Sequence, residues 1–300
     1  MTKYFHLLIC LSCCIGLQLM QTPTQGETNV EGWGFDVYGA VDVPDGTYTE
    51  VSAGYSFALG LRADGTIAAW GSDEFNTGVL DCPTGTFTSV SADPYGAWAA
   101  GLRTDGTIAA WGDDMYGQLE VPSGTFISVS ADGYFGSALR SDGTAVLWGS
   151  GSELEYSGPF TALAGGVGLR PDGTVQDLGD PYTPSGTFTT ISAGPGYTIG
   201  ARSNGGGIYA WGSPPVGGPM TGSFMAVAGG SGACAALRND GTMVVWDCSG
   251  VPEAPPGTFT SVSCGDGYIL AIQAVPEPSS LLALVCGIAG MGGIVFRRRG

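Results

Sequence analysis

The residues that could carry out chemistry are almost all carboxylates. His6 is the only histidine and Lys3 the only lysine of the 300 residues. Ser-His-Asp and Cys-His catalysis, histidine-ligated zinc and Schiff-base lysine chemistry therefore have no candidates beyond the N-terminal segment. No phosphate-binding glycine loop, nucleophile elbow or EF-hand motif is present. We expect no catalytic residue, no metal site and no cofactor.

Paired carboxylates leave one enzymatic alternative open, because two acids are enough for many glycosidases. Adjacent acids occur at Asp73-Glu74 and at Asp113-Asp114. Both pairs follow a Trp-Gly dipeptide at equivalent positions of a repeated unit, which favours solvated loops over a catalytic pair. A carboxylate-based enzyme acting on polysaccharide is thus the weaker interpretation.

The distribution of charge indicates an exported protein and argues against a nucleic-acid partner. The chain has 27 acidic and 10 basic residues, a net charge of −17. All 27 acids lie between Glu27 and Glu277 with only six arginines, so this interval has a net charge of −21, whereas both chain ends are basic. An acidic body is a poor match for phosphates, and basic ends that flank it are typical of a translocated chain.

The N-terminal segment has the pattern of a signal peptide. Lys3 precedes an uncharged stretch, residues 4–21, that is rich in Leu, Ile and Cys. A basic start followed by a short apolar run predicts a secretory signal over residues 1–26. Lipidation at Cys13 or Cys14 stays open as an alternative to plain cleavage, although the preceding Cys10-Leu11-Ser12 is a poor lipidation sequence.

The C-terminal segment has three parts in a fixed order. Residues 279–296 carry no charge and would span about 27 Å as a helix, enough for a bilayer core. The motif Val275-Pro276-Glu277-Pro278-Ser279 precedes them, and Arg297, Arg298 and Arg299 follow as a basic anchor in the tail 297–300. This arrangement resembles the PEP-CTERM sorting signal of Gram-negative bacteria.

The PEP-CTERM resemblance, over residues 275–300, implies where in the cell the protein is sorted. It implies that an exosortase-type enzyme recognises Pro276, Glu277 and Pro278. It also implies that the chain contacts the membrane through a transmembrane helix at 279–296. We therefore expect an exported protein that passes through an inner-membrane intermediate to the cell surface or the extracellular space.

Between the two ends, a unit of about 35 residues repeats seven times. Each unit has an alternating strand, a Leu-Arg pair, an Asp-Gly pair of the kind that readily forms a type I′ hairpin, and mostly a strand ending in Trp-Gly. Units of this length built from hairpins predict a β-propeller. The 53 glycines lack the every-third spacing of collagen and punctuate these units instead. The units open at Gly46, Gly85, Gly124, Gly158, Gly186, Gly222 and Gly257.

The last unit is incomplete, and the first residues of the body supply the missing part. Residues 257–274 end before any Trp-Gly strand, whereas Val30-Glu31-Gly32-Trp33-Gly34 precedes the first complete unit. Pairing of these segments would close a ring and remove exposed sheet edges. The sequence therefore predicts an all-β, seven-bladed propeller over residues 27–274, closed by an N-terminal strand.

Three motifs carry a family resemblance. Residues 51–54 (Val-Ser-Ala-Gly), 102–107 (Leu-Arg-Thr-Asp-Gly-Thr) and 111–119, which begin with Trp-Gly, resemble repeats of the regulator of chromosome condensation family. The resemblance spans about residues 30–274 and implies a seven-bladed propeller. The short units are similar to those of a secreted bacterial type.

The six arginines of the body each stand just before the hairpin turn. We expect each to pair with the Asp two residues later or with a neighbouring blade. A ring of arginines that binds an anion is the alternative. These residues are Arg62, Arg103, Arg140, Arg170, Arg202 and Arg238.

Most units have an aromatic residue four residues before the Leu of Leu-Arg. Members of the family commonly have His at this position. Packing between blades is the main interpretation. The alternative places some of these rings at a rim where they stack on sugars, which makes them candidate ligand-binding residues. They are Phe57, Trp98, Phe135, Tyr197 and Tyr268, with Ala233 in the sixth unit.

The fourth unit and the cysteines leave further questions open. Residues 160–169 are four residues shorter than their counterpart in the first unit, and Leu178 replaces the Trp. Drift or a specific binding site would explain this irregularity.

Four cysteines of the body could form bridges in an oxidising compartment, with three possible pairings. They are Cys82, Cys234, Cys248 and Cys264.

These observations predict an exported, exosortase-sorted propeller that acts as a protein- or polysaccharide-binding module and is not an enzyme. Propellers present loops from a rigid ring, which suits recognition. The alternatives are the carboxylate-based polysaccharide enzyme and a secreted protein inhibitor of an enzyme.

Overall fold

The computed structural model describes residues 29–36, 38–151, 153–179, 184–213, 220–246 and 253–274. These residues form 22 β-strands and contain no helix, so the all-β class is confirmed for them. None of the segments it describes is a helix long and apolar enough to cross a membrane. The predicted signal peptide, sorting motif, transmembrane helix 279–296 and basic tail lie outside the described residues.

The strands form seven antiparallel sheets, which we number as blades in chain order. Blade 1 is β2 (Tyr48–Ala53), β3 (Phe57–Arg62) and β4 (Ile67–Gly71); blade 2 is β5 (Phe87–Ala92), β6 (Trp98–Arg103) and β7 (Ile108–Gly112); blade 3 is β8 (Ser128–Asp132), β9 (Phe135–Leu139), β10 (Ala145–Gly149) and β11 (Leu154–Tyr156); blade 4 is β12 (Ala162–Ala164), β13 (Val167–Leu169) and β14 (Val175–Asp177). Blade 5 is β15 (Phe188–Gly194), β16 (Tyr197–Arg202) and β17 (Ile208–Gly212); blade 6 is β18 (Phe224–Gly229), β19 (Cys234–Arg238) and β20 (Met243–Trp246); blade 7 is β21 (Phe259–Cys264), β22 (Tyr268–Gln273) and β1 (Val30–Gly34).

The first strand of each blade lies at the centre of a closed ring. Strands β2, β5, β8, β12, β15, β18 and β21 each contact the next, and β21 contacts β2. Strand β1 pairs with β22, with Val30 opposite Ile272 and Gly34 opposite Tyr268. The N-terminal strand thus completes blade 7, as the split unit predicts, and this architecture is consistent with a seven-bladed propeller.

Serine side chains link neighbouring inner strands. Ser52 Oγ accepts a hydrogen bond from the Ala92 amide of the next blade at 2.9 Å, and Ser91 accepts one from Ala131 at the same distance. Ser263 closes the ring by accepting from the Ala53 amide at 2.9 Å. The serine of the Val-Ser-Ala motif therefore satisfies a backbone donor that the blade's own sheet does not pair.

The middle strands are apolar because blades cover them on both sides. All but the last residue of β3 and β6 are buried, which fits a near-continuous apolar run rather than alternation. The outer strand is held by its tryptophan, whose indole N–H donates to the preceding connector at 2.8 Å in Trp70, Trp111 and Trp148. Gly71 after the Trp has a φ of 99°, and a Cβ there would lie 2.6 Å from the Ser56 carbonyl oxygen, so the Trp-Gly pair is a packing requirement.

The Asp-Gly hairpins differ from the predicted type I′ turn. In blade 1, Gly65 has a φ of 81° whereas Asp64 is not among the residues with positive φ. The Gly65 amide donates to the Arg62 carbonyl at 2.9 Å, and the Arg62 amide donates to the Thr66 carbonyl at 2.9 Å. This pattern is a three-residue loop with a type I turn followed by a left-handed glycine. Only one of its residues needs positive φ, so Asp remains free to bond within the turn.

Candidate binding site on the loop face

The two ends of the ring differ in the residues that they present. We call the end with the Asp-Gly turns, such as residues 63–66 and 104–107, the hairpin face. The opposite end is the loop face, which has the turns between first and second strands, such as 54–56 and 93–97, and the residues that follow each Trp-Gly pair. Antiparallel pairing fixes this division, because each middle strand runs from the loop face to the hairpin face.

The arginines all lie at the hairpin face, but they do not form the predicted pairs with aspartate. Five of the six guanidinium groups lie over an aromatic ring of their own blade, at the start of the first strand or two residues before it, with Cζ 4.9–5.7 Å from the ring centroid. Among the described residues the one ion pair is Arg140 with Glu155, at 2.7 Å. Cation–π stacking therefore replaces the expected pairing. The intervening aspartate has another role.

The hairpin aspartates cap their own turns. Asp64 Oδ1 accepts hydrogen bonds from the Thr66 hydroxyl at 2.7 Å and the Thr66 amide at 3.0 Å, and these bonds lower the pKa of Asp64. Asp105 makes the same two bonds with Thr107. The repeated Asp-Gly-Thr sequence is thus explained by turn structure.

The loop face has the opposite electrostatic character. Besides Glu153, nine carboxylates lie at strand ends or in loops on this face, and none of the six arginines within the described residues does. An acidic surface of this kind raises the local concentration of cations and repels polyanions. The nine are Asp36, Asp73, Glu74, Asp93, Asp113, Asp114, Asp132, Asp177 and Asp266.

The predicted solvated-loop role of the adjacent acids agrees with the contacts of Asp73 and Asp114. Asp73 accepts hydrogen bonds from the amides of Thr77 and Gly78 at 2.9 and 2.8 Å. Burial acts to raise its pKa, but these bonds together lower it. Asp114 likewise accepts from the Leu119 amide at 2.9 Å. Both side chains organise their own connectors.

Seven aromatic residues and Met115 extend over blades 7, 1, 2 and 3 of the loop face, and we call this set the aromatic arc; six of the eight are exposed, and Tyr38 and Tyr55 are half-buried. Tyr134 is 62% exposed and Met115 76% exposed. The rings contact one another, with centroids of Tyr116 and Tyr134 4.5 Å apart and those of Tyr55 and Phe75 6.2 Å apart. Large exposed apolar patches on a monomer indicate an interaction site. The arc is Phe35, Tyr38, Tyr55, Phe75, Tyr95, Met115, Tyr116 and Tyr134.

The five aromatic residues singled out from the sequence lie between blades. Phe57, Trp98, Tyr197 and Tyr268 are at most 4% exposed. The polar tips donate to the next blade: Trp98 to the Gly133 carbonyl at 2.8 Å, and Tyr268 to the carbonyls of Gly54 and Phe57 at 3.0 and 2.6 Å. This geometry is the inter-blade packing that the sequence favours. Among the five, Phe135 alone is partly exposed.

A cavity opens beside Phe135 because blade 4 is short. In other blades the turn after the first strand covers the aromatic side chain of the preceding blade, as Gly133 covers Trp98. In blade 4, β12 and β13 have only three residues each, and no aromatic residue follows the Gly165-Gly166 turn between them. The result is a cavity of about 870 Å³ between blades 3, 4 and 5, within the size range of ligand sites.

Tyr95 and Asp132 are the polar residues at this cavity that sequence reasoning missed. Tyr95 reaches from blade 2 towards blade 5, where its phenol interacts with the backbone of Gly196, and burial is the main cause that raises its pKa to about 12. Asp132 Oδ2 is 3.4 Å from the Gly165 amide, and burial raises the pKa of this carboxyl. Asp132 is the one charged side chain in the cavity lining.

A signal for Asp132 was present in the repeat. Asp93 and Asp132 occupy the position of the glycine in Val-Ser-Ala-Gly, in the two blades before the shortened one. Asp93 is 1% exposed and accepts hydrogen bonds from the amides of Tyr95 and Gly133 at 2.9 and 2.8 Å. Burial, with a contribution from Asp132, raises its pKa to about 7.

The cysteines provide no metal site within the described residues. Cys82 forms no disulfide, and burial raises the pKa of its thiol to about 11. Cys234 and Cys264 are buried in blades 6 and 7, and Cys234 Sγ is 3.1 Å from the Tyr197 hydroxyl. Cys248 lies outside the described residues, so the predicted bridges that include it stay predictions.

Comparisons with known proteins agree with this architecture. The family model described as regulator of chromosome condensation (RCC1) repeat matches residues 48–76, which are blade 1 and the start of its connector. Blade 1 is therefore similar to an RCC1 repeat. The CRINKLY WD40 ectodomain of the Arabidopsis thaliana receptor kinase ACR4 is similar to this propeller with a TM-score of 0.63 at 20% identity, over 75% of this chain and 90% of that chain.

A second solved structure, human WBSCR16, is similar with a TM-score of 0.66 at 15% identity, over 83% of this chain and 99% of that chain. At such identities the likeness is one of fold. A search of curated proteins gave no match to the chain.

Proposed function

We propose that this propeller is an exported interaction module, without catalytic activity, that binds a protein partner through the loop face. The partner would present a basic surface. The observation that supports the proposal is the coincidence of the aromatic arc and nine carboxylates on a face that has no cation among its described residues.

The composition of the arc favours a protein partner. Tyrosine, phenylalanine and methionine are enriched at protein interfaces, where they supply large contact area at a low cost in side-chain entropy. The acids around them would speed association with a basic partner and disfavour acidic ones. Polysaccharide binding is less well supported, since four of the five aromatic residues that could have stacked on sugars are buried.

The binding test uses the full chain and defined probes. We expect random 12-residue peptides of net charge +4 to bind, and peptides of net charge −4, dextran and cello-oligosaccharides to bind at least tenfold more weakly. A double variant, Tyr116→Ala with Tyr134→Ala, should weaken binding of the basic peptides about tenfold.

Tyr209→Ala is the matched control, because Tyr209 is 39% exposed and lies on the outer strand β17, away from the arc. Equal binding by the double variant and the control would contradict the proposal. Tighter binding of a neutral polysaccharide would instead select the polysaccharide-binding alternative.

A carboxylate-based polysaccharide enzyme is the second candidate, and the raised pKa values of Asp93 and Asp132 are the observation that favours it. Asp93 is buried and does not line the cavity, so the two acids do not face a common substrate position. Release of reducing sugar from the polysaccharide probes would favour this candidate over the binding module.

Export and sorting complete the proposal. The acidic body between basic ends, the signal-like N-terminus and the resemblance of residues 275–300 to a PEP-CTERM signal support them. An exosortase-type enzyme would then be the first partner of the chain, and the cell surface or the extracellular space its destination.

A further inference from the structure

We propose that the cavity over blade 4 is the anchor site for an arginine side chain of the protein partner. The inference rests on the proposed function, since it identifies where on the loop face the basic partner would be held. The cavity adjoins the end of the aromatic arc, with which it shares Tyr95, and the inference rests further on Phe135 and the shortened blade 4, which are outside the arc.

The cavity is part of the fold rather than a surface irregularity. The four-residue deletion in the fourth unit leaves β12 and β13 with three residues each, whereas the first and second strands of the other blades have five to seven, and Val167 stands where most other blades begin the second strand with an aromatic residue. A Cβ at Gly166 would lie 3.9 Å from Cζ of Phe135, within ordinary contact, so the glycine leaves this side of the ring uncovered. The apolar walls are Leu147, Leu154 and Leu178, with Trp148 and Tyr197 below.

The negative charge of the cavity lining favours a cationic ligand. Asp132 is the one charged side chain in the lining, and the bond that its Oδ2 accepts from Gly165 is long, at 3.4 Å. A carboxylate in an apolar setting gains most from a ligand that brings an opposite charge and N–H donors. The further carboxylates of the loop face make its potential more negative, which disfavours an anionic occupant.

Its aromatic walls select arginine over lysine. A guanidinium is planar and weakly hydrated, stacks on aromatic rings and can form two bonds to one carboxylate, whereas an ammonium stays strongly hydrated. Tyr95, at the mouth, and Phe135 are the accessible rings beside Asp132. The chain already makes this contact at its hairpin face, where Arg103 lies 4.9 Å from the Phe87 centroid and Arg202 lies 5.3 Å from that of Phe188.

The volume fits an arginine together with its neighbours in a loop. About 870 Å³ is several times the volume of one side chain, so apolar residues that flank the arginine would fill the space against Leu154 and Leu178. Anchors of this kind, buried in a preformed pocket, usually carry much of the binding energy of an interface.

The test measures binding of Nα-acetyl-arginine methylamide to the full chain, with the citrulline and lysine analogues as comparisons. Citrulline has nearly the shape of arginine without its charge. We expect the citrulline analogue to bind at least tenfold more weakly and the lysine analogue to be intermediate. Equal binding of all three would overturn the proposal.

Asp132→Asn should weaken binding of the arginine probe at least tenfold while retaining a side chain of the same size. Asp45→Asn is the matched control, because it makes the same change at an exposed residue of the connector before blade 1 that is neither in the cavity lining nor among the loop-face carboxylates. We expect the control to change binding by less than twofold. Leu154→Trp provides a second variant. Leu154 is 49% exposed, so we expect the fold to tolerate the larger side chain. The tryptophan would narrow the mouth of the cavity and weaken binding of the probe.

The outcomes separate this inference from the proposed function. If Tyr116→Ala with Tyr134→Ala weakens the basic peptides but Asp132→Asn and Leu154→Trp change neither peptide nor probe, the anchor is overturned and the interaction module stands. If neither set of variants affects the basic peptides, both proposals fail. A neutral oligosaccharide that binds in the cavity with unchanged affinity to Asp132→Asn would also overturn the anchor.

Discussion

At the scale of single residues, buried carboxylates are the unusual feature of this propeller. Asp93 occupies a glycine position of the repeat, where its Oδ1 atom accepts two backbone amides while its Oδ2 atom has no hydrogen-bond partner among the described residues. Burial of a carboxyl group disfavours its charged form. The hairpin aspartates are the reverse case, since bonds from threonine stabilise their charged form at the surface.

The raised pKa of Asp93 predicts a pH dependence of stability. Because its pKa is about 7 in the folded chain and ordinary in the unfolded chain, the folded state binds more protons between about pH 4 and pH 7, and Asp93 makes the chain less stable as pH rises through that window. The contribution is at most about 4 kcal/mol. Asp93→Asn should remove it, so that thermal unfolding of the variant changes less between pH 5 and pH 8.

The hairpin aspartates do not interfere with this measurement. Their pKa values are lowered, so the stability that they contribute is present above about pH 4 and is lost as pH falls below it. Parallel unfolding profiles for the wild type and Asp93→Asn from pH 5 to pH 8 would show that Asp93 has an ordinary pKa.

At the scale of the strand, the serine bridges hold each blade to the next. Blades 1, 2, 5 and 7 form the bridge through the serine of this motif, whereas alanine takes the serine position in blade 4 (Ala164) and blade 6 (Ala228). Blade 3 has the serine, but there Asp132 accepts the Gly165 amide of the next blade instead. The serine contact is therefore replaced on both sides of the shortened blade and between blades 6 and 7.

Ser91→Ala should lower the free energy of unfolding by about 1–3 kcal/mol, because it leaves the buried amide of Ala131 without an acceptor. Denaturant unfolding at fixed pH measures the change. Ser123→Ala is the control, since Ser123 is exposed in the connector before blade 3, and its effect should stay within about 0.5 kcal/mol. If the two variants have equal stability, the bridge does not contribute.

At the scale of the whole molecule, closure by β1 connects the two ends of the domain. Strand β1 pairs with all but the last residue of β22, so residues 30–34 cover an edge that would otherwise remain open. Tyr268 adds hydrogen bonds to Gly54 and Phe57 of blade 1. The segments that would direct export thus flank a domain whose first and last strands are paired.

The proposed sorting to the cell surface is tested on the full chain in a host that has an exosortase-type enzyme. We expect the wild type at the cell surface or in the medium, and the triple variant Pro276→Ala, Glu277→Ala, Pro278→Ala in the membrane fraction. Ser280→Ala is the control, with the distribution of the wild type. Immunoblots of cell fractions measure the difference, and equal distributions would exclude sorting through the motif.

Much of the fold could be predicted from local sequence because each blade is built from neighbouring residues. Asp64-Gly65 marks a hairpin whichever blades surround it, and Trp70-Gly71 marks the end of an outer strand. The turn type was wrong because the pair alone does not show that a third residue, Ala63, belongs to the loop. The pairing of Arg62 with Asp64 was wrong because the ring of Tyr48 competes for the guanidinium.

The sequence by itself determined seven units, their hairpins and the strand that closes the ring, since all of these depend on contacts within a unit or on one missing strand. Only the tertiary structure decided which aromatic residues are covered, because Phe57 and Phe135 have the same place in their repeats and differ only in the blade that follows. The space between two blades depends on how long the strands of the neighbouring blade are. A four-residue deletion in one unit therefore became a cavity lined by residues from four blades.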